Sequence, residues 1–100
     1  MNPRYTLLAA CMAHVEGYYS TKSLAYRNFN PGNIEDGHGH FVKYPTQLAG
    51  WTALVNDIAA NHGKTLAQFL AKYAPPVEND TNMYTQVVSS LSGIGVDEAL

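Results

Sequence analysis

Cysteine is almost absent from this chain: Cys11 is the single one, so no disulfide can form within it. Its place in an apolar helical stripe gives it the role of a small buried hydrophobe rather than a reactive thiol. Charge is equally scarce, at 14% of residues and a formal net of -2. A nucleic-acid partner calls for clustered Lys and Arg, which this sequence lacks. No run approaches the roughly 18 apolar residues of a membrane span, so membrane insertion is not expected. The opening Met1-Asn2-Pro3-Arg4 precedes too short an apolar stretch for a secretory signal. Export by another route, or a leader or partner domain beyond this chain, is therefore expected.

What is present is a 46% hydrophobic chain of 100 residues, the size of one compact domain spanning 1–100. Tyrosine is frequent, at 7 residues beside 3 Phe and 1 Trp. Such rings serve either as core bulk or as stacking faces for a polar planar ligand such as a sugar.

Asn2 suits an N-cap and Pro3 the first helical position, and Leu8, Cys11, Met12 and Val15 recur at helical spacing. A helix over 3–16 is predicted, stopped by Gly17. Residues 17–32 read as a long loop rich in Tyr18, Tyr19, Tyr26 and Phe29, of a length that is usually functional. Residues 33–35 and 40–44 flank Asp36-Gly37-His38-Gly39, a β-hairpin signal. Thr46 caps a helix with the stripe Leu48, Trp51, Leu54, Val55 and Ile58, closed by Gly63. Thr65-Leu66-Ala67-Gln68 is a capping box opening a helix with Leu66, Phe69, Leu70 and Tyr73 on one side. Pro75-Pro76 ends it. Glu78, Asn79, Asp80 and Thr81 read as caps for a helix carrying Tyr84, Val87, Val88 and Leu91, which Gly93 and Gly95 end before a last turn over 96–100. The expected fold is α+β and mainly helical, with about four to five helices. A small hairpin cannot stand alone in water, so it should lie against the helices as one wall of a groove.

Glu16 is the most informative residue. At the end of an apolar helix, before Gly17 and two tyrosines, its carboxyl would be half desolvated. Desolvation and the negative end of the helix dipole both raise a carboxyl pKa. A protonated acid facing a groove is what glycosidic cleavage needs for its leaving oxygen. Position alone leaves open a solvated surface glutamate. In the following loop, Asn30 before Pro31 favours extended backbone and Gly32 a tight reversal. Asn28, Asn30 and Asn33 then either meet sugar hydroxyl and N-acetyl groups or satisfy their own backbone.

Further residues extend the pattern. Glu16-Gly17-Tyr18-Tyr19 and Arg27-Asn28-Phe29-Asn30-Pro31-Gly32-Asn33-Ile34 are followed by Phe41, Tyr44 and Gly50-Trp51-Thr52-Ala53-Leu54. Then come Ala74-Pro75-Pro76-Val77-Glu78-Asn79-Asp80-Thr81 and Tyr84. This ordered set resembles small phage-type and bacterial peptidoglycan-cleaving enzymes, lysozyme-like proteins related to lytic transglycosylases. The resemblance covers nearly the whole chain. It implies a lysozyme-like fold with Glu16 as general acid and later base. Asn30 and Asn33 would shape the floor of the glycan groove, and Tyr84 would lie near the acid. Apart from the resemblance, Tyr73 and Tyr84 either stack beside the groove or pack in the core, and Tyr26 is a further candidate substrate-binding residue. One departure is Phe29, where the family usually has Asn.

The reaction type turns on a second carboxylate. Glu35 and Asp36 are the acids of the hairpin region, but Asp36 before Gly37 suits a turn and Glu35 a solvent-facing strand position. A one-glutamate route to a 1,6-anhydro sugar is therefore preferred to a two-carboxylate hydrolase. A non-catalytic glycan-binding or virion structural domain is the rival from another class. Two histidines on one turn, His38 and His40, are too few for a metal site, and His14 near a helix end suits the dipole. No metal and no cofactor are expected. The expected partner is the peptidoglycan strand, met by a monomer at the bacterial cell wall, in an exported or phage-associated setting.

Overall fold

The computed structural model describes residues 2–75 and 80–100. Five helices follow one another: α1 (Pro3–Val15), α2 (Leu24–Arg27), α3 (Gln47–Ala60), α4 (Leu66–Tyr73) and α5 (Thr81–Ser92). α1 starts where its local chemistry dictates, with the Asn2 side chain accepting from the Arg4 amide and Pro3 in the first turn. It buries Leu8, Cys11 and Met12, as their spacing requires, and Glu16 stands at its C-cap.

α1 packs against α5 and α3, and α4 packs against α5. Their shared core holds Leu8, Met12, Leu54, Ile58, Phe69 and Val88 at 0–2% exposure. Each such side chain contributes about 1.5–3 kcal/mol through the apolar area it removes from water. The Thr65–Gln68 capping box is present, with both reciprocal bonds made. Asp80 caps α5 through the Met83 amide, and Gly93 ends it in the left-handed conformation. Pro76 and the cap candidates Glu78 and Asn79 lie outside the described residues.

Four expectations are corrected. The long loop contains α2, a single turn nucleated by Ser23, whose side chain accepts from the Tyr26 amide. The hairpin is reduced to one isolated bridge between Glu35 and Phe41. Its turn is irregular because Gly37 and Gly39 both take positive φ while the Asp36 carboxylate draws in the His38 and His40 amides. Of the predicted helix stripes, Leu48 in the first turn of α3 is 76% exposed, and Val87 and Leu91 of α5 are exposed too. The last segment forms a turn at 95–98 and then an extended stretch, with Leu66 N–H donating to Glu98 O and Leu100 N–H to Lys64 O. Among the described residues the only bridges are this one, Thr65 with Ala99, and Glu35 with Phe41. The domain is thus compact and mainly helical, with almost no strand among the described residues and a radius of gyration of 12.6 Å.

Candidate active site

The site begins with how α1 ends. Gly17 adopts φ 79, a conformation that carries little cost without a Cβ, and the Tyr18 amide folds back to Ala13 O at 3.0 Å. The chain leaves the helix there, while the Glu16 side chain remains on the wall of a cleft of about 560 Å³.

Two donors hold the Glu16 carboxyl. Tyr84 O–H donates to Oε2 at 2.7 Å, and Asn33 Nδ2 donates to Oε1 at 3.2 Å. Burial pushes the Glu16 pKa above the ordinary carboxylate range, and the two hydrogen bonds partly offset that rise by favouring the ionised form. Burial, then the nearby Glu16 charge, pushes the Tyr84 phenol far up, so it stays protonated and remains a donor. The acid is therefore partly desolvated yet held in one orientation, which suits reversible proton transfer.

The loop over 28–34 is built to deliver Asn33. Asn30 is fully buried: its Oδ1 accepts from Ile34 N–H, and its Nδ2 donates to the carbonyls of Ile34 and Val42, each at 2.9–3.0 Å. This side chain ties the loop to the 40–44 segment beside the backbone bonds from Val42 N–H to Ile34 O and from Tyr44 N–H to Asn28 O. Asn33 takes φ 48, left-handed backbone that Asn tolerates better than most residues, and this turns its amide toward Glu16. Its Oδ1 is buried without a donor among the described residues. Phe29 takes φ 49, so its position too demands left-handed backbone. Two glycines let the loop seat: a Cβ on Gly50 would collide with the Phe29 carbonyl, and one on Gly32 with the Tyr73 hydroxyl.

The predicted residues separate into distinct roles. Glu16, Asn33 and Tyr73 line the cleft. Tyr73 turns its hydroxyl to the Gly32 carbonyl and so fastens the loop to α4. Asn30 offers no surface to the cleft and acts as a structural tie, because backbone groups occupy its amide. Tyr84 approaches Glu16 from α5 and is 5% exposed, so it orients the acid from behind rather than lining the cleft. Tyr26 lies elsewhere, packed with Tyr18 (ring centroids 5.8 Å apart) in a minor core that also takes in Trp51. Much of the aromatic richness of the long loop is thereby spent on packing.

Among the other acids, Glu35 reaches the cleft from an exposed position. Asp36 is committed to its turn, and the His38 N–H foremost holds its pKa below the usual range. Sequence reasoning missed Asp57 of α3 and Lys72 of α4, which also line the cleft. Asp57 is half-buried beside the core stripe of Leu54 and Ile58, an unusual place for a carboxylate, and that position was the available signal. Burial raises its pKa, with Lys72 pulling the other way. Among the described residues no three His, Cys, Asp or Glu side chains converge as metal ligands. No protein-family model matches this chain, and no curated protein or solved structure shows significant similarity to it.

Proposed function

We propose that this protein cleaves the β-1,4 bond between N-acetylmuramic acid and N-acetylglucosamine in bacterial peptidoglycan, with Glu16 as its acid and base. The observation that carries the reading is the Glu16 carboxyl: buried enough to hold a proton above the ordinary range, fixed by two donors, and facing an open cleft. The ordered motifs around it support the same assignment and a lysozyme-like fold, with the acid at the end of the first long helix.

In the reaction, the Glu16 O–H protonates the bridging oxygen as the bond from the sugar C1 to that oxygen breaks. The N-acetyl carbonyl of the same sugar supports the electron-poor C1. The Glu16 carboxylate then takes the proton from the C6 hydroxyl as O6 bonds to C1. Glu16 is regenerated and the product is a 1,6-anhydro sugar, the outcome of a lytic transglycosylase. Hydrolysis is the second reading, favoured by the presence of Glu35 at the cleft. Water would then attack C1, with a second carboxylate taking its proton or stabilising C1.

Turbidity of purified cell walls tests the proposal. Wild type should clear the suspension and Glu16→Gln should not. If both bind the walls and neither clears them, the domain is a glycan-binding module. Mass spectrometry of the products separates the two enzymatic readings, since reducing ends without anhydro sugars would establish hydrolysis.

A further inference from the structure

The reaction as written leaves Asp57 unused. Its carboxylate lies half-buried in the same cleft as Glu16 and takes no hydrogen bond from the described residues. Its neighbours are otherwise engaged. Tyr73 lines the same cleft and feels the charges of Glu16 and Asp57, but its hydroxyl donates to the Gly32 carbonyl. Asn61, one turn along α3, donates its Nδ2 to the Asp57 backbone carbonyl and accepts from Lys64 Nζ through Oδ1. Lys72 is near enough for its charge to act on Asp57, yet the two form no ion pair. Tyr44 also feels the Asp57 charge. A partly desolvated carboxylate without a donor carries a solvation cost that a ligand's donors can relieve.

We propose that Asp57 is a sugar-binding acceptor of this cleft, taking a hydroxyl or amide N–H of one ring while Lys72 donates to an adjacent oxygen. The ligand class follows from the pairing. Asp57 and Lys72 line one cleft as an acceptor and a cationic donor, which suits a ring bearing both donors and acceptors. The inference rests on the glycan reading above and adds the residue that grips the sugar beyond Glu16. It also carries a pH signature. Sugar donors favour the ionised carboxylate, so the ligand draws the raised Asp57 pKa back down, and binding weakens as acidification protonates Asp57.

Titration of Glu16→Gln with chitotetraose, followed by NMR, tests this without turnover. In that background Asp57→Asn should weaken binding by about tenfold or more, the loss expected for a hydrogen bond to a charged acceptor. Carbon-detected titration of the Asp57 carboxyl, resolved from that of Glu35, should give a lower pKa with sugar than without. This second measurement needs no Asp57 variant and stands even if Asp57→Asn fails to fold. Unchanged affinity in a folded Asp57→Asn variant, or an unmoved Asp57 pKa, overturns the proposal and leaves the glycan reading intact. If Glu16→Gln does not bind the sugar at all, the glycan reading fails and this proposal falls with it.

Discussion

Replacing Tyr84 with Phe removes one oxygen and leaves the ring in the core, so it isolates the contact with Glu16. That bond is 2.7 Å long, partly buried, and charge-assisted whenever Glu16 is ionised. Bonds to charged groups contribute about 1.5–3 kcal/mol and neutral ones about 0.5–1.5. The variant should therefore lose about 2 kcal/mol in mildly alkaline buffer and about 1 kcal/mol where Glu16 is protonated. At about 4–8 °C per kcal/mol for a domain of this size, Tm should fall by roughly 8–16 °C and 4–8 °C respectively. The same deletion removes a donor that favours the ionised acid, so the Glu16 pKa must rise further. If protonated Glu16 does the work, the alkaline limb of the wall-clearing profile moves to higher pH. Thermal melts at two pH values and a clearing profile provide the assays. Equal losses of Tm at both pH values, or a limb that stays put or moves down, would refute the reasoning.

Glu16→Gln should be more stable than wild type in alkaline buffer. The folded-state pKa is raised, so the folded protein holds its proton longer than the unfolded chain, and stability falls as pH rises through that interval. Melts of the two proteins should converge below the unfolded carboxyl value of about 4.3; a gap that persists there would contradict this. Asn30→Ala breaks three buried bonds and should cost about 3 kcal/mol or more, with glycan binding lost through disorder of the loop. A Tm within a few degrees of wild type would show that the tie is unimportant. Asn33→Ala should be less stable than Asn33→Gly by about 1 kcal/mol, because φ 48 penalises a Cβ. Both should shift the alkaline limb of activity upward equally, since each removes the same donor to Glu16; a shift in one alone would detach the limb from that bond.

Features decided within a few residues were legible in the sequence. Asn2-Pro3, the Thr65–Gln68 box and Gly93 set helix ends through bonds made within one turn. The spacing of Leu8, Cys11 and Met12 marked the buried face of α1, and Glu16 was placed at its end by the same count. Leu48, Val87 and Leu91 misled because periodicity names a helix face but not how far its neighbours extend; all three are exposed. The hairpin failed for a related reason: a turn dipeptide signals reversal, but pairing beyond it depends on what the flanks meet. Here pairing stops after the Glu35–Phe41 bridge and the Val42-to-Ile34 bond, and Asn30 bonds the carbonyls of Ile34 and Val42.

By itself the sequence determined a single-cysteine, weakly charged, mainly helical chain whose first helix ends in a candidate acid, because composition and short-range periodicity and capping suffice for that. Only the tertiary structure decided what surrounds the acid. The donors Tyr84 and Asn33 stand 68 and 17 residues from Glu16, and Asp57 and Lys72 reach its cleft from two other helices. Tyr26 and Asn30 left the cleft wall for the same reason, while Tyr84 meets the acid from behind it. A side chain's work depends on which surfaces close over it, and chain packing sets that over separations no local pattern spans.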